Sequence, residues 1–505
     1  MLATARMMTT TIKTTTTTDK MNTETTQLDS KTQTPNMQVT EEIKSYDITD
    51  NGLDTVKIAT IGNVDSGKTT LVGVLTKGIM DDGRGSARLR VFNYAHEVEN
   101  GRTSSIGHEI MGFDAEGKQV LPDRFNQNKN KYWAEVVKDS KKVVTLLDLC
   151  GHEKYLKTTM FGLVGLVPDY AMIIVGANMG VSRMTKEHLG ITLALKIPFF
   201  VVVTKIDMCP ENVYKETMEK LGKALKVGDA NRKTIFVKDN EELQVCANGI
   251  ETNRICPVFS VSSVTGDGMD KLIKFISLLK NRNQSNKLIK SASDPIQYDI
   301  NEQFLVSGVG VVVSGVVRSG TIKPNTTLLL GPDKVNGFKP VMVKTIHMNR
   351  VPVDEAKAGQ YACLCIRPVN KKDTLDKDDF RKGMILIDSS LKPEPIWEFD
   401  AEVYVLHHGT TIEEGYQAVM HCGVIRQSVT IQELSKDYLR TGDKEKVKFK
   451  FMYNSEYLQP GLTFLLREGT TKILGKVLKV YEPSAEKKKM NEQKIVKDEK
   501  VQAKK

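Results

Sequence analysis

The chain has 505 residues and a formal net charge of +10 at pH 7, and its length suggests about three domains of ordinary size. Apolar residues make up 40% and charged residues 27%, a composition typical of globular proteins with several cores. No run approaches the ~20 uncharged apolar residues of a membrane-spanning helix, so we expect no contact with a membrane. The seven scattered cysteines argue against a disulfide scaffold and favour a reducing compartment.

Both ends of the chain have a composition typical of disorder. Residues 1–50 are rich in threonine, including the run Thr14–Thr18, and residues 484–505 are rich in lysine. Neither segment can bury enough apolar area to offset the entropy of ordering, so we predict two disordered extensions. The lysine-rich tail could instead contact RNA. In the first extension Arg6, Lys13 and Lys20, with few early acids, resemble a mitochondrial transit peptide, but a strong amphipathic Arg-rich pattern is missing. We therefore expect a cytoplasmic protein, with mitochondrial import as the alternative.

A phosphate-binding loop follows the first predicted strand. The apolar run 56–61 predicts a buried strand, and residues 70–75 have the apolar spacing of a helix. Between them the pattern G-x-x-x-x-G-K-[ST] lets backbone N–H groups surround a phosphate at the helix N-terminus. Lys68 is expected to neutralise the β- and γ-phosphates, and Thr69 to ligate Mg²⁺. The candidate binding residues are Gly62, Asn63, Val64, Asp65, Ser66, Gly67, Lys68, Thr69 and Thr70.

A second predicted strand, residues 143–148, ends in an acid. Asp148 is a candidate for the second-strand carboxylate that holds Mg²⁺ through water. Gly151 can bring its backbone N–H close to the γ-phosphate because it has no side chain. His152, four residues after the acid, is the candidate catalytic residue that orients the attacking water, although a histidine after a strand is commonly structural.

A third predicted strand, residues 199–203, leads into a candidate base-binding motif formed by Thr204, Lys205 and Asp207. The carboxylate of Asp207 can accept two hydrogen bonds from guanine, whereas adenine offers no such pair of donors. The alkyl stem of Lys205 would lie over the purine. The alternative role for Asp207 is to cap the following helix. Together with the phosphate loop, this motif favours GTP over ATP.

The sequence after about Asn283 changes to a pattern typical of antiparallel β-structure. Residues 304–317 are dense in β-branched residues and glycine, and a second β-rich block covers residues 395–482; glycines inside strands are typical of small barrels. We predict an α/β P-loop GTPase domain, with a mostly parallel sheet and helices on both faces, followed by two antiparallel β-barrel domains. The predicted domains are 51–285, 290–392 and 393–483.

Two groups of residues in the last block have alternative interpretations. The first group could suggest a metal site, but its spacing fits no known zinc pattern, so we expect a structural role for His407, His408, His421 and Cys422. The second group could form a face for RNA or a salt-bridged barrel rim, and consists of Arg426, Arg440, Arg467 and Lys472. The sequence does not decide between these two roles.

Taken together, the motifs resemble those of the translational GTPases, the superfamily of elongation factor Tu and elongation factor 1-alpha. The resembling motifs of the first domain are GNVDSGKTTL at 62–71, DLCGHEKY at 148–155, TKID at 204–207 and SSVTGDG at 262–268. The resemblance is greatest to the GTP-binding protein 1 subfamily, in VFNYAHEVENGRTSSIG at 91–107, VLHHGTTI at 405–412 and HCGVIRQ at 421–427. The resemblance covers roughly residues 50–482.

The resemblance implies further site residues. The segment from about Gly83 to Gly107 looks like the first switch, in which the family has a hydroxyl ligand for Mg²⁺. Aligning the switch pattern places this ligand at Ser105, with Thr103 as the alternative. A loop that contacts guanine O6 through backbone N–H groups is implied at Ser262, Ser263 and Val264. Thr204 replaces the commoner asparagine of its motif, so we expect a weaker link from it to the phosphate loop.

The resemblance also implies a function. It implies a GTP-hydrolysing switch of the translation elongation factor type, which binds GTP or GDP with Mg²⁺ and acts as a monomer with tRNA or the ribosome. Hydrolysis should be slow without a ribosome-like activator, because no arginine finger can be assigned from the sequence. One alternative is a GTP-dependent binding module in mRNA surveillance or decay, with hydrolysis incidental. Another is a GTPase subunit that drives a metabolic enzyme.

Overall fold

A computed structural model describes residues 53–122, 129–226, 232–282, 289–370 and 372–482. All of them belong to the second of two units of the chain, Ile43–Lys505. The predicted extensions 1–50 and 484–505 lie outside the described residues. Within the described ranges, no helix combines the length and the apolar content that crossing a bilayer requires.

The first part of the structure is built on an eight-stranded mixed sheet with the order β3-β2-β4-β1-β5-β6-β8-β7. Its strands are β1 (Asp54–Gly62), β2 (Gly107–Phe113), β3 (Gln119–Val120), β4 (Lys142–Asp148), β5 (Tyr170–Gly176), β6 (Phe199–Thr204), β7 (Lys233–Phe236) and β8 (Ile255–Ser260). Strands β2 and β3 are antiparallel to their neighbours, and the other pairs are parallel. The carboxyl ends of β1, β4, β5, β6 and β8 therefore meet at one edge, where ligands of such sheets bind.

Helices cover both faces of this sheet. They are α1 (Lys68–Lys77), α2 (Ser86–Leu89), α3 (Ala95–Asn100), α4 (Lys129–Asp139), α5 (Leu156–Gly165), α6 (Arg183–Ala194), α7 (Glu211–Ala224), α8 (Asn240–Gly249) and α9 (Met269–Leu278). Successive side chains of β1 point to opposite faces, so Ile58 joins one hydrophobic core and Ala59 joins another. The central strands are apolar along their length because both faces are covered.

The second sheet closes into a barrel. Its strands are β9 (Gln297–Val306), β10 (Gly310–Ser319), β12 (Thr327–Gly331), β13 (Lys339–Met348), β14 (Val351–Val353), β16 (Tyr361–Pro368) and β17 (Ile385–Ile387), beside a two-stranded ribbon of β11 (Thr321–Ile322) and β15 (Ala356–Lys357). The order β12-β17-β9-β10-β16-β13 is closed by pairing of β12 with β13. A bulge occurs at Gly315, where an added Cβ would lie 1.9 Å from the Asp299 carbonyl oxygen.

The third sheet is a closed six-stranded barrel with the order β18-β21-β20-β19-β22-β23. Its strands are β18 (Glu398–His407), β19 (Gln417–Cys422), β20 (Ile425–Leu434), β21 (Lys444–Phe451), β22 (Thr463–Glu468) and β23 (Thr471–Tyr481). Phe399, Phe449 and Phe464 pack together in its interior. An α/β domain followed by two antiparallel barrels confirms the predicted fold class.

Several helices of the first domain contact the barrels. Helix α4 does so where Arg350 of the first barrel lies over the Trp133 ring and donates to Asn130. Helix α5 ends at Gly165, where an added Cβ would lie 3.0 Å from the Asn301 side chain of β9 and 3.4 Å from the Gly423 carbonyl, between β19 and β20. On helix α6, Glu187 accepts ion pairs from Lys472 at 2.8 Å and Arg467 at 3.5 Å. Of the four basic residues with alternative interpretations, these two therefore form a salt-bridged contact between domains.

The structure also shows the surroundings of four other residues of these two groups. Arg440 lies 4.7 Å from the ring centre of Tyr438, and Arg426 is half-buried. The Nδ1 atom of His408 lies 2.7 Å from the hydroxyl of Thr471. Burial lowers the pKa of His421 to about 3, so this side chain is neutral near pH 7.

Candidate nucleotide-binding and hydrolysis site

The loop between β1 and α1 curls around the start of the helix. Asp65 and Gly67 have φ angles of 58° and 79°, in the left-handed region that turns the chain sharply. At Gly62 an added Cβ would lie 2.7 Å from the Ile174 carbonyl oxygen, so only glycine allows β1 and β5 to approach here. The first N–H groups of a helix have no partner within the helix, and these face the open cleft lined by residues 63–70.

Oxygen atoms from three elements meet below this loop. The Thr69 and Thr103 hydroxyls lie 2.8 Å apart. The Asp148 carboxylate at the end of β4 accepts a hydrogen bond from Thr69 at 2.8 Å and from Thr103 at 3.4 Å. Its other oxygen is paired with the Lys68 ammonium. Oxygen ligands are the ones that Mg²⁺ prefers, so this cluster fits a magnesium ion.

The structure does not bring Ser105 into this oxygen cluster. Its hydroxyl donates to Glu97 at 2.9 Å, and the hydroxyl of Ser104 donates to the same carboxylate oxygen at 3.0 Å. Burial would raise the pKa of Glu97, but these hydrogen bonds lower it overall. Thr103 takes the place beside Thr69 that we expected for Ser105, because Glu97 at the first turn of α3 holds the two serines away.

Gly151 and His152 form the opposite wall of the cleft. An added Cβ at Gly151 would lie 2.7 Å from the Gly62 carbonyl oxygen and 3.0 Å from that of Asn63, so the backbone here lies directly against the phosphate loop. The half-buried His152 accepts a hydrogen bond at Nδ1 from the Lys154 N–H at 3.0 Å. This bond leaves Nε2 as the ring nitrogen available to a ligand or water.

The candidate base-binding motif adjoins the phosphate loop through a buried hydrogen bond. The Thr204 hydroxyl donates to the Ser66 carbonyl at 2.6 Å, so the link that we expected to be weaker with threonine is present. Lys205 has a left-handed φ of 61°, and its Cε atom would lie 3.7 Å from a Cβ added at Gly67. Asp207 is exposed in the short turn that follows.

The alternative role of Asp207 as a helix cap is wrong. Helix α7 begins at Glu211, and its N-cap residue is Pro210. Asp207 instead lies three residues before that cap, within a 3₁₀ turn. Its exposed carboxylate is therefore available to a ligand.

The loop after β8 lies beside this motif. The buried Ser262 hydroxyl accepts hydrogen bonds from the N–H groups of Val264 at 3.1 Å and Thr265 at 3.0 Å. The carbonyl of Ser263 accepts from the Asp81 N–H at 2.8 Å. Of the three residues predicted to contact guanine O6, Ser263 is the one whose N–H has no acceptor among the described residues, and Ser262 shapes the loop.

The structure adds residues that the sequence analysis did not select. Arg88 and Arg102 line the same cleft as Lys68 and Thr103, and Glu97 positions the serines of the switch. The signal available in the sequence was the run GRGSARLR at 83–90, which places three arginines at the start of the switch segment.

Comparison with known proteins places this site in a family. Residues 53–281 match the model described as the elongation factor Tu GTP binding domain, and residues 310–387 match elongation factor Tu domain 2. The chain is 46% identical over 431 residues to GTP-binding protein 1 of Xenopus laevis, covering 85% of this chain and 64% of that protein. It is 38% identical over 427 residues to GTP-binding protein 2 of Homo sapiens, covering 84% and 69%.

The chain belongs to the translational GTPases, together with GTP-binding proteins 1 and 2. The predicted resemblance is thereby confirmed. The chain spans 64% of the length of the first of these curated relatives, slightly under two thirds. Among solved structures, the GTPase-like domain of S. cerevisiae Ski7, bound to GTP, has a TM-score of 0.63 at 11% identity, covering 85% of this chain and 98% of that one. This translational GTPase therefore shares its fold with Ski7.

Proposed function

We propose that this protein is a GTP-hydrolysing switch of the translation elongation factor type, which acts with tRNA or the ribosome. The observation that supports this most directly is the oxygen cluster of Thr69, Thr103 and Asp148 under the phosphate loop, with hydroxyl and carboxylate oxygens 2.8 to 3.4 Å apart. The cluster joins the loop to the switch segment. Occupancy of the cleft would therefore change the switch, as a nucleotide-dependent conformational cycle requires.

Different residues of the cleft would bind the phosphates and the metal ion of GTP. Lys68 supplies positive charge for the phosphate oxygens once a ligand competes with Asp148 for it. Thr69, Thr103 and Asp148 would hold Mg²⁺, with Thr103 replacing Ser105 as the switch ligand. The ion, when bound, neutralises charge on the β- and γ-phosphates. Gly151 leaves room for its backbone to lie close to the terminal phosphate.

The base would be selected at the ends of β6 and β8. The exposed Asp207 carboxylate accepts hydrogen bonds from the guanine N1–H and amine, and the Ser263 N–H donates to guanine O6. The stem of Lys205 covers one face of the purine. A pocket built on these polar pairs rejects adenine, which would leave the carboxylate without donors.

His152 would orient the attacking water. Because Nδ1 accepts from the Lys154 N–H, the neutral ring carries its proton on Nε2 and can donate from there to a water oxygen. The family expectation is slow turnover until an activator fixes this side chain. We place the protein in the cytoplasm as a monomer, with the domains 51–285, 290–392 and 393–483.

The test of this proposal compares nucleotides and activators. We expect the purified protein to bind a fluorescent GTP analogue at least ~100-fold more tightly than its ATP counterpart, in keeping with discrimination by buried polar pairing. Ribosomes with charged tRNA should accelerate hydrolysis. His152→Ala should keep GTP affinity and lose the acceleration, whereas the control Glu153→Gln, on an exposed neighbour, should keep both.

Two results would contradict the proposal separately. Equal affinity for GTP and ATP would defeat the assignment of the base. GTP binding with no response to ribosomes and tRNA would defeat the elongation-factor role.

A further inference from the structure

Arg88 presents a guanidinium group to the candidate nucleotide cleft without an acid to neutralise it. The side chain lines the cleft together with Lys68, Thr103 and His152. Its Nε atom is buried and has no hydrogen-bond partner, and none of the ion pairs formed by the described residues includes Arg88. Arg88 therefore lines the cleft as a cation with no acidic partner among the described residues, and an anionic ligand of the cleft can pair with it.

The backbone that carries Arg88 is fixed to the nucleotide-binding elements. The Asp81 carboxylate accepts hydrogen bonds from the N–H groups of Gly83, Gly85 and Ala87 at 2.9 to 3.1 Å. A Cβ added at Gly73 of α1 would lie 2.3 Å from the Ala87 carbonyl oxygen, so α2 packs directly on the helix that follows the phosphate loop. Arg88 therefore projects from a preorganised element.

A second tie joins this segment to the base-binding side of the site. The N–H of Asp81 donates to the Ser263 carbonyl at 2.8 Å. The short helix α2 is thus held between α1 and the loop that would read guanine. These contacts fix the backbone of Arg88 relative to both the phosphate loop and the loop after β8.

The guanidinium lies close to the part of the switch segment that carries Thr103. Its Nη2 atom would lie 3.4 Å from a Cβ added at Gly101, which has a left-handed φ of 64°. Gly101 precedes Thr103 by two residues, and the Thr103 hydroxyl lies 2.8 Å from that of Thr69. The neighbouring Arg102 also lines the cleft but is exposed. Arg88 is thus the half-buried arginine of the cleft that lies beside the backbone leading to Thr103.

We propose that Arg88 is a catalytic arginine supplied within the chain, which contacts the terminal phosphate of GTP and stabilises its charge during hydrolysis; this inference rests on the proposed function. In the reaction the water oxygen bonds to the γ-phosphorus, and the bond from that phosphorus to the β–γ bridging oxygen breaks with its electron pair left on GDP. The water proton passes to the released phosphate. A guanidinium suits this role because it is always charged and presents several N–H donors in one plane.

The test measures single-turnover GTP hydrolysis by the full chain and its variants. G-protein α-subunits, which carry a catalytic arginine in their own chain, hydrolyse GTP roughly 25-fold faster than Ras, which does not. Arg88→Ala should therefore slow hydrolysis by about that factor. Arg88→Lys keeps the charge but loses the planar fork, and its rate should lie between the two. The control Arg90→Ala removes an exposed arginine two residues away, and should stay within about twofold of wild type.

A second readout does not depend on turnover. GDP with aluminium fluoride imitates the phosphoryl group in the transition state. Arg88→Ala should weaken binding of this complex by about the same factor as it lowers the rate. Its affinity for GDP alone should change little. Equal rates for wild type and Arg88→Ala, or a loss that follows Arg102→Ala instead, would overturn this inference and leave the proposed function intact. Failure of the wild type to bind GTP would overturn both.

Discussion

Replacing Thr204 by valine tests how the base-binding strand holds the phosphate loop. The side chain is 1% exposed, and its hydroxyl donates to the Ser66 carbonyl at 2.6 Å. Valine has nearly the same shape but cannot donate, so the substitution leaves a buried carbonyl without its partner. Leaving such a group unpaired costs about 1–3 kcal/mol, and we expect the free energy of unfolding to fall by about that amount.

The same substitution should weaken nucleotide binding. The loop that loses its tie to Thr204 must be ordered again when a nucleotide binds. If about 1.4 kcal/mol of the cost falls on the binding step, the dissociation constant for GDP rises about tenfold. Urea unfolding followed by circular dichroism measures the first effect, and titration with a fluorescent GDP analogue measures the second.

Thr192→Val is the matched control for this experiment. The Thr192 side chain is also buried, and its hydroxyl donates to the His188 carbonyl at 2.8 Å within helix α6. That carbonyl lies within a helix and keeps its backbone partner, so the loss should be smaller and GDP affinity unchanged. The reasoning fails if Thr204→Val binds GDP as tightly as wild type, or if both valine variants weaken binding equally.

Three further predictions concern the switch, the cleft wall and pH. Thr103→Ala should abolish the Mg²⁺ dependence of GTP affinity, measured by titration with and without chelator, while Ser105→Ala changes it by less than about threefold; the reverse order would restore Ser105 as the ligand. Gly151→Ala should lower the GTP hydrolysis rate more than tenfold, since a Cβ 2.7 Å from a carbonyl oxygen must displace the cleft wall; an unchanged rate would refute the close approach. Burial lowers the pKa of His188 to about 4 and that of His421 to about 3, so the folded state binds fewer protons than the unfolded state between these values and about 6.5. Stability should therefore fall as pH drops below about 6.5, by up to about 1.4 kcal/mol per unit for each histidine, and His421→Gln should flatten that slope in urea unfolding at pH 5 and pH 7.

The sequence sufficed where the chemistry depends on a local pattern. The phosphate loop is a continuous run whose glycines and following helix determine its shape, and Asp148 is identified by its place at the end of a strand. The order of an α/β domain and two barrels also followed from apolar spacing and from glycines within strands. These features depend on neighbours in sequence, so a single chain displays them.

The remaining features depend on contacts between distant residues. Ser105 and Thr103 both carry hydroxyls, and the choice between them is made by Glu97, whose carboxylate binds the serine. Arg88 reaches the cleft only because α2 packs on α1 through Gly73. The Thr204 bond to Ser66 spans 138 residues. None of these contacts has a repeating spacing that a sequence pattern could display.

Helix α5 links the candidate catalytic residue His152 to the two barrels. Its first turn follows His152 by four residues, and its last residue, Gly165, lies where an added Cβ would be 3.0 Å from Asn301 and 3.4 Å from the carbonyl of Gly423. Ten helical residues measure about 15 Å, so a tilt of about 10° at the histidine end moves the far end by roughly 2.5 Å. The space around Gly165 is too small for a movement of that size without displacing Asn301 or Gly423. If this protein hydrolyses GTP as we propose, such a tilt at His152 would move the end of α5 that packs against both barrels.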